Sequence, residues 1–177
     1  FAALARIKIA ELKGRSTAAL TPPAATAPSG TAGILSVSDI VGRIKHAVVG
    51  VAASAKDGKT ETVGSGFIVS PLGHVATNNH LIDKASKIVA FLADGTRWPV
   101  TVTGRDKRTD IAVLKVAQPP AGPPIRWAAA ELGGRVVAVA MSPAGGNVII
   151  ATGKVEQVGV ATQYNQFIQI NTAIEPR

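Results

Sequence analysis

The chain has 177 residues, of which 46% are hydrophobic and 17% charged, so it can bury a core in one domain or two small lobes and is not a disordered tail. It contains no cysteine, which excludes disulfide scaffolds, thiolate zinc sites and a thiol nucleophile. The 19 Lys and Arg residues outnumber the 11 Asp and Glu residues, for a net charge of +8, but no zinc-finger spacing or RNA-binding aromatic signature accompanies them. This pattern argues against a nucleic-acid partner.

Residues 1–20 form a basic amphipathic segment. Leu4, Ile7 and Leu12 lie among basic residues at a spacing that favours a helix. Such a helix would pack on the folded body or on another subunit, and contact with a membrane surface is the weaker alternative because the apolar face is short. Residues 21–33 are rich in Pro, Ala, Thr and Gly, as is typical of a linker, so the folded body is expected to begin at residue 34.

Residues 34–116 are predicted to form one β-rich lobe. Ser36 and Asp39 have the spacing of a capping box, which predicts a short helix that ends near His46. Six short β-branched segments follow, separated by turn residues: AVVGVAAS, GSGFIVSP, GHVATNN, KIVAFLADG, TRWPVTVTG and TDIAVLKV. Because no long helix intervenes, they predict an antiparallel barrel or sandwich.

The segment 117–125 (AQPPAGPPI) contains four prolines and is predicted to connect two lobes, since it cannot form a central strand. The strand pattern resumes over residues 126–177 with GRVVAVAMSP, GNVIIATGKVEQVG and QFIQINTAI. The second lobe is therefore expected to be a partial barrel.

His80 and Asp110 are the candidate catalytic residues. Asp110 opens an apolar run, and burying a lone carboxylate is costly, so it is expected to have a partner. If Asp110 accepted a hydrogen bond from the His80 ring, it would set the tautomer and leave the other nitrogen free to take a proton from a nucleophile. Spacing alone leaves open the alternative that His80 is a surface residue and Asp110 an ordinary turn residue.

Two motifs resemble a known family. Residues 64–80 (GSGFIVSPLGHVATNNH) resemble the stretch that leads to the catalytic histidine of HtrA-type (DegP/DegQ-like) serine proteases. Residues 109–116 (TDIAVLKV) resemble the stretch that carries the catalytic aspartate of that family. Weaker matches follow in collinear order at residues 139–145, 152–155, 167–169 and 173–174.

The resemblance implies an all-β, chymotrypsin-like fold of two six-stranded barrels, with the second barrel incomplete in this chain and the active site between them. It implies His80 as general base and Asp110 as its orienting partner. In the family, Ala-Ile-Asn-Pro leads into the Gly-Asn-Ser-Gly-Gly loop that carries the nucleophile, whereas here residues 173–177 read AIEPR and Arg177 stands where the first glycine is expected. Ser65 is expected to be structural and Ser142 a turn former, so these 177 residues alone are expected not to hydrolyse peptides.

Three functional hypotheses remain. The first, implied by the resemblance, is the protease portion of an HtrA-type serine endopeptidase that acts on unfolded or misfolded protein, in the bacterial periplasm or another exported location, as a homo-trimer or larger oligomer. The second is a catalytically degenerate protease fold that binds peptides or assembles with partners. The third is a basic protein that binds nucleic acid or a membrane surface through residues 1–20.

No cofactor or metal site is expected. His74 and His80 are predicted to lie on one strand about 20 Å apart, which is too far to share an ion. His46 is expected at a helix end, where its charge suits the helix dipole.

Overall fold

The computed structural model describes residues 8–9, 35–58, 61–118, 122–162 and 165–172. Ten strands and two helices lie within these ranges. In chain order they are β1 (Lys8–Ile9), α1 (Val37–Ile44), β2 (Val48–Ser54), β3 (Glu61–Ile68), β4 (His74–Asn78), α2 (Asn79–Ile82), β5 (Lys87–Phe91), β6 (Arg97–Asp106), β7 (Ile111–Val116), β8 (Arg135–Met141), β9 (Val148–Thr162) and β10 (Asn165–Ile170).

The first lobe is a closed, antiparallel six-stranded barrel in the order β2-β3-β4-β7-β6-β5, with β5 returning to pair with β2. Buried and part-exposed residues alternate in β4 and in β7, where Ala112, Leu114 and Val116 are buried, whereas β2 is buried over nearly its whole length. The prediction of six strands in this region is confirmed, and the barrel alternative is the one observed.

The barrel core consists of buried aliphatic side chains, of which Val49, Val51, Val75 and Leu114 have no exposed surface. Each such side chain contributes about 1.5–3 kcal/mol relative to exposure to water. Ile82, at the end of α2, is buried in the same cluster. The short helix α2 is therefore anchored to the barrel core by an apolar side chain.

The predicted capping box starts α1. Asp39 donates its backbone N–H to Ser36 Oγ over 3.1 Å, and Ser36 N–H donates to Asp39 Oδ2 over 3.2 Å. These reciprocal bonds satisfy backbone donors that the first helical turn leaves free. The helix ends at Ile44, close to the predicted end near His46.

The second lobe contains a four-stranded sheet in the order β1-β10-β9-β8. The helix predicted for residues 1–20 is wrong at Lys8–Ile9, which form β1 and pair with Phe167 and Gln166 of β10. The edge of β10 offers backbone hydrogen bonds that outweigh a short amphipathic pattern, since isolated helices of this length are marginal in water. The rest of residues 1–34 lies outside the described residues.

The proline-rich segment between β7 and β8 has neither helix nor strand at residues 117–118 and 122–125. It is held against the first lobe, because His46 Nε2 donates to Pro123 O over 2.8 Å and Ile125 N–H donates to Ile68 O over 2.9 Å. Gly122 has a φ of +137°, and a Cβ there would lie 2.4 Å from the His46 ring. A glycine is thus required at this contact.

Neither helix within the described residues is long and apolar enough to cross a bilayer.

Candidate active site

His80 lies in the single turn of α2, directly after β4. The prediction that His80 shares a strand with His74 is wrong, because β4 ends at Asn78 and the chain turns into a helix at Asn79. The strand does not continue because the next two backbone N–H groups bind Asp110. Asn79 N–H donates to Asp110 O over 3.0 Å, and His80 N–H donates to Asp110 Oδ1 over 2.8 Å. The turn therefore presents the His80 ring at the end of the barrel.

Asp110 lies in the tight turn between β6 and β7 and has a φ of +55°. Among the described residues, Asp110 alone has a positive φ without being a glycine. Asp is one of the few residue types that tolerate the left-handed region of backbone conformation. The antiparallel pairing of Asn78 with Ile111 brings the end of β4 beside the start of β7. Barrel closure thus places two residues that are 30 positions apart at the same rim.

The two candidate side chains are in direct contact. His80 Nδ1 lies 2.7 Å from Asp110 Oδ2, and a carboxylate can only accept, so Nδ1 carries the proton and donates. This tautomer leaves the lone pair on Nε2. The His80 side chain is 64% exposed, so Nε2 is accessible to a substrate or a nucleophile.

The pKa of Asp110 lies below its ordinary value of 3.8. Partial burial is the largest influence and opposes ionisation, but the hydrogen bonds from the His80 side chain and backbone, the charge interaction with His80 and the Asn78 amide together outweigh it. Asp110 is therefore ionised at neutral pH. An ionised carboxylate in this position holds the imidazole orientation and stabilises the imidazolium that proton transfer would form.

Asn78 is a site residue whose contact was not foreseen from the sequence, which marked it only as part of the strand end before His80. Its Nδ2 donates to Asp110 Oδ2 over 3.2 Å and to Asp110 O over 3.3 Å. The same carboxylate oxygen thus accepts from both Asn78 and His80. The sequence signal was an amide two residues before the candidate base, which by itself does not identify a partner.

The two serines considered as internal nucleophiles have hydrogen-bond partners other than His80. Ser65 Oγ accepts a hydrogen bond from Met141 N over 2.9 Å. Ser142 closes a turn, because its N–H donates to Asn147 O and its carbonyl accepts from Gly145 N, which confirms the prediction of a turn former. Within the described ranges, no serine hydroxyl forms a hydrogen bond with His80. The resemblance places the expected nucleophile after residues 173–177, and those residues lie outside the described residues.

The other histidines have separate roles. His74 Nδ1 lies 2.7 Å from Ser70 Oγ in the turn between β3 and β4, and His46 contacts the connector through Pro123. Across the described part of the chain, no group of three or more His, Asp or Glu residues is arranged to hold a metal ion.

Comparisons with known proteins place this geometry in a family. A family model for the trypsin-like peptidase domain matches residues 64–176. A probable periplasmic serine endoprotease, DegP-like, from Marinomonas sp. is 34% identical over 132 residues, covering 72% of this chain and 28% of that protein. A protein of the same description from Pseudomonas savastanoi pv. phaseolicola is 48% identical over 58 residues, covering 33% of this chain and 12% of that protein.

A solved structure of the HtrA-type protease AlgW with a tripeptide superimposes with a TM-score of 0.70 and 28% sequence identity, covering 80% of this chain and 48% of that chain. The matched segments span at most 28% of the length of the two relatives. The fold prediction of a chymotrypsin-like arrangement with a partial second barrel agrees with the closed barrel, the second sheet and these neighbours. The chain belongs to the trypsin-like peptidase family, and within it to the HtrA-type serine proteases.

Proposed function

We propose that this chain is the protease portion of an HtrA-like serine endopeptidase in which His80 is the general base and Asp110 orients it. The observation that carries the proposal is the 2.7 Å contact between His80 Nδ1 and Asp110 Oδ2, because in the neutral imidazole this contact leaves the lone pair on Nε2 of an exposed side chain. An imidazole in this tautomer is suited to accept the proton of a serine hydroxyl.

The proposed mechanism assigns one step to each residue. As a serine oxygen attacks the scissile carbonyl, its proton moves to His80 Nε2, and Asp110 stabilises the resulting imidazolium without taking the proton. The imidazolium then protonates the leaving amine, and the acyl-enzyme is hydrolysed when His80 activates water. Ser65 and Ser142 have other hydrogen-bond partners, which supports the proposal that the 177-residue chain is inactive by itself.

The proposed substrates are unfolded or misfolded proteins, and the proposed location is the periplasm. Support comes from relatives that are named periplasmic serine endoproteases. A homo-trimer or larger assembly is also proposed on the family resemblance. Residues 173 and 174, which resemble positions near the specificity pocket, would favour small to medium aliphatic side chains before the cut, but they lie outside the described residues.

The test is covalent labelling of the complete gene product with a fluorophosphonate, which reacts only with an activated serine. Replacing His80 with Ala should abolish labelling, whereas the matched control His74→Ala should leave it intact, because the contact of His74 described above is with Ser70. Labelling that survives in His80→Ala, or loss in both variants, would contradict the assignment of His80.

A second candidate function is a degenerate protease fold that binds peptides or assembles with partners. It is favoured by Arg177, which stands where the family has the first glycine of its serine loop. If the complete gene product lacks a Gly-x-Ser-Gly-Gly segment after Arg177 and takes up no fluorophosphonate, this function replaces the first. Peptide binding would then be measured by calorimetry with an unfolded protein as probe.

A further inference from the structure

Ser65 connects the two lobes through two different polar groups. It lies in β3 of the first barrel, where its carbonyl oxygen accepts from Thr77 Oγ1 over 2.9 Å. Its side-chain Oγ accepts from the backbone N–H of Met141, the last residue of β8 in the second lobe, over 2.9 Å. One residue thus joins the strand that leads to His80 and the end of a strand in the other lobe.

The contact with Thr77 is on the side of the candidate base. Thr77 is buried, with 7% of its surface exposed, and lies three residues before His80. Gly66, next to Ser65, pairs with Thr77, and a Cβ on Gly66 would lie 2.8 Å from Ala76 O. The backbones of β3 and β4 are therefore packed too closely for a side chain at Gly66.

Gly64, on the other side of Ser65, makes room for the residue that follows His80. A Cβ on Gly64 would lie 2.4 Å from Leu81 Cδ1, so the Leu81 side chain occupies the space that a larger residue would need. Ser65 is therefore flanked by two glycines that each face the segment around His80. The position of this stretch of β3 and that of α2 are coupled by packing.

The contact with Met141 is on the side of the second lobe. Met141 is 3% exposed and packs with Ala52 and Phe91 of the first barrel. The Phe91 ring also fills the space beside Gly50, where a Cβ would lie 2.1 Å from it. The end of β8 is thus docked on the first barrel where Ser65 holds its backbone.

We propose that Ser65 is a positioning residue that sets the orientation of the second lobe relative to the strand and helix that carry His80. The consequence for catalysis rests on the proposed function, in which the base belongs to the first lobe and the nucleophile to the second. Because a misplacement of about 1 Å between reacting groups can cost about 100-fold in rate, a hydrogen bond at the junction affects turnover without touching substrate.

The structural test compares Ser65→Ala with the control Ser86→Ala in the 177-residue chain. Ser86 Oγ also bonds a backbone group, but it donates to the carbonyl of Ser54 within the first barrel, whereas Ser65 Oγ accepts from Met141 N–H across the lobes. Residual dipolar couplings of the wild type and the control should fit one alignment tensor for both lobes, whereas those of Ser65→Ala should require two. If the Met141 amide exchanges faster in Ser65→Ala while one tensor still fits, the bond is only local and the proposal is wrong.

The kinetic test uses the complete gene product with a peptide substrate. Ser65→Ala should lower kcat about 10- to 100-fold with KM nearly unchanged, and Ser65→Thr, which keeps the acceptor oxygen, should restore most of kcat. An unchanged kcat in Ser65→Ala would reject the positioning role even if His80→Ala is inactive. If Ser65→Ala does not fold, Ser65→Cys replaces it, since sulfur is a weak acceptor of similar size.

Failure of the proposed function and failure of the proposed role of Ser65 give different results. Activity that survives in His80→Ala contradicts the proposed function, but the dipolar couplings of Ser65→Ala still report on lobe orientation. Activity that is lost in His80→Ala and kept in Ser65→Ala contradicts only the role of Ser65.

Discussion

The carboxylate of Asp83 lies 2.8 Å from the ammonium group of Lys107, and this ion pair joins the end of the helix that carries His80 to the turn that carries Asp110. Arg105 Nη1 lies 3.8 Å from the same carboxylate. The pKa of Asp83 is held below its ordinary value chiefly by the hydrogen bond from Lys107. Besides the hydrogen bonds between His80 and Asp110, a solvent-exposed ion pair thus joins the two segments that carry them.

Replacing Asp83 with Asn should loosen this connection. We expect shifts in the NMR signals of the His80 and Asp110 amides, and a small loss of thermal stability that disappears at high salt, because exposed ion pairs are screened. Asp94→Asn is the matched control, since Asp94 caps its own turn by accepting from Thr96 N over 2.8 Å. Equal shifts at His80 in both variants would show that Asp83 has no specific connection to the dyad.

Replacing Asp110 with Asn should change the tautomer of His80. The Asn amide group can donate to Nδ1, which would move the ring proton to Nε2 and remove the lone pair needed for proton abstraction. The ¹⁵N shifts of the two ring nitrogens measure this change directly in the 177-residue chain. In the complete gene product, kcat should fall about 10⁴-fold.

Because an Asn at position 110 keeps the shape of Asp and tolerates positive φ, the fold should survive. A variant with ring shifts identical to those of the wild type would contradict the assignment of Nδ1 as the donor to Asp110.

The stability of the chain should depend on pH through Asp110. Its pKa is lower in the folded chain than the ordinary value of 3.8, so the folded state binds fewer protons than the unfolded state, and the stabilisation is complete above 3.8. It is lost as the pH falls from 3.8 through the lower folded-state pKa. Urea midpoints measured against pH should therefore converge for the wild type and Asp110→Asn in acid, and a gap that stays constant would contradict this linkage.

Two glycine substitutions should have opposite effects on stability. Gly50→Ala places a Cβ 2.1 Å from the Phe91 ring in the buried junction, and such overpacking costs about 1–3 kcal/mol. Gly42→Ala, in α1, meets nothing within 4 Å and should stabilise the helix by about 0.5–1 kcal/mol. Urea unfolding of both variants checks the pair, and a Gly50→Ala variant as stable as the wild type would show that Phe91 can move aside.

Local patterns in the sequence predicted much of the fold. The β-branched segment TDIAVLKV marked the strand that forms β7, and the spacing of Ser36 and Asp39 marked the start of α1. The prolines of 117–125 marked the connector. Because each of these features depends on residues that are close together in the chain, it can be predicted from the local sequence.

The candidate site was predicted less completely. The resemblance named His80 and Asp110, but the turn of the backbone into α2 and the contact of Asn78 with Asp110 depend on pairing between β4 and β7. The strand at Lys8–Ile9 was missed for a similar reason, because its partner in β10 is more than 150 positions away. Sequence spacing does not encode such partners.

By itself, the sequence predicted the β-rich class, the helix start and a connector, and the family resemblance named the two residues of the proposed dyad. Only the tertiary structure decided that His80 Nδ1 meets Asp110 and that Ser65 Oγ meets Met141 N. The physical reason is that burial and local hydrogen bonding leave periodic patterns along the chain, whereas contacts between distant residues arise when the barrel closes in one register and the second lobe packs against it.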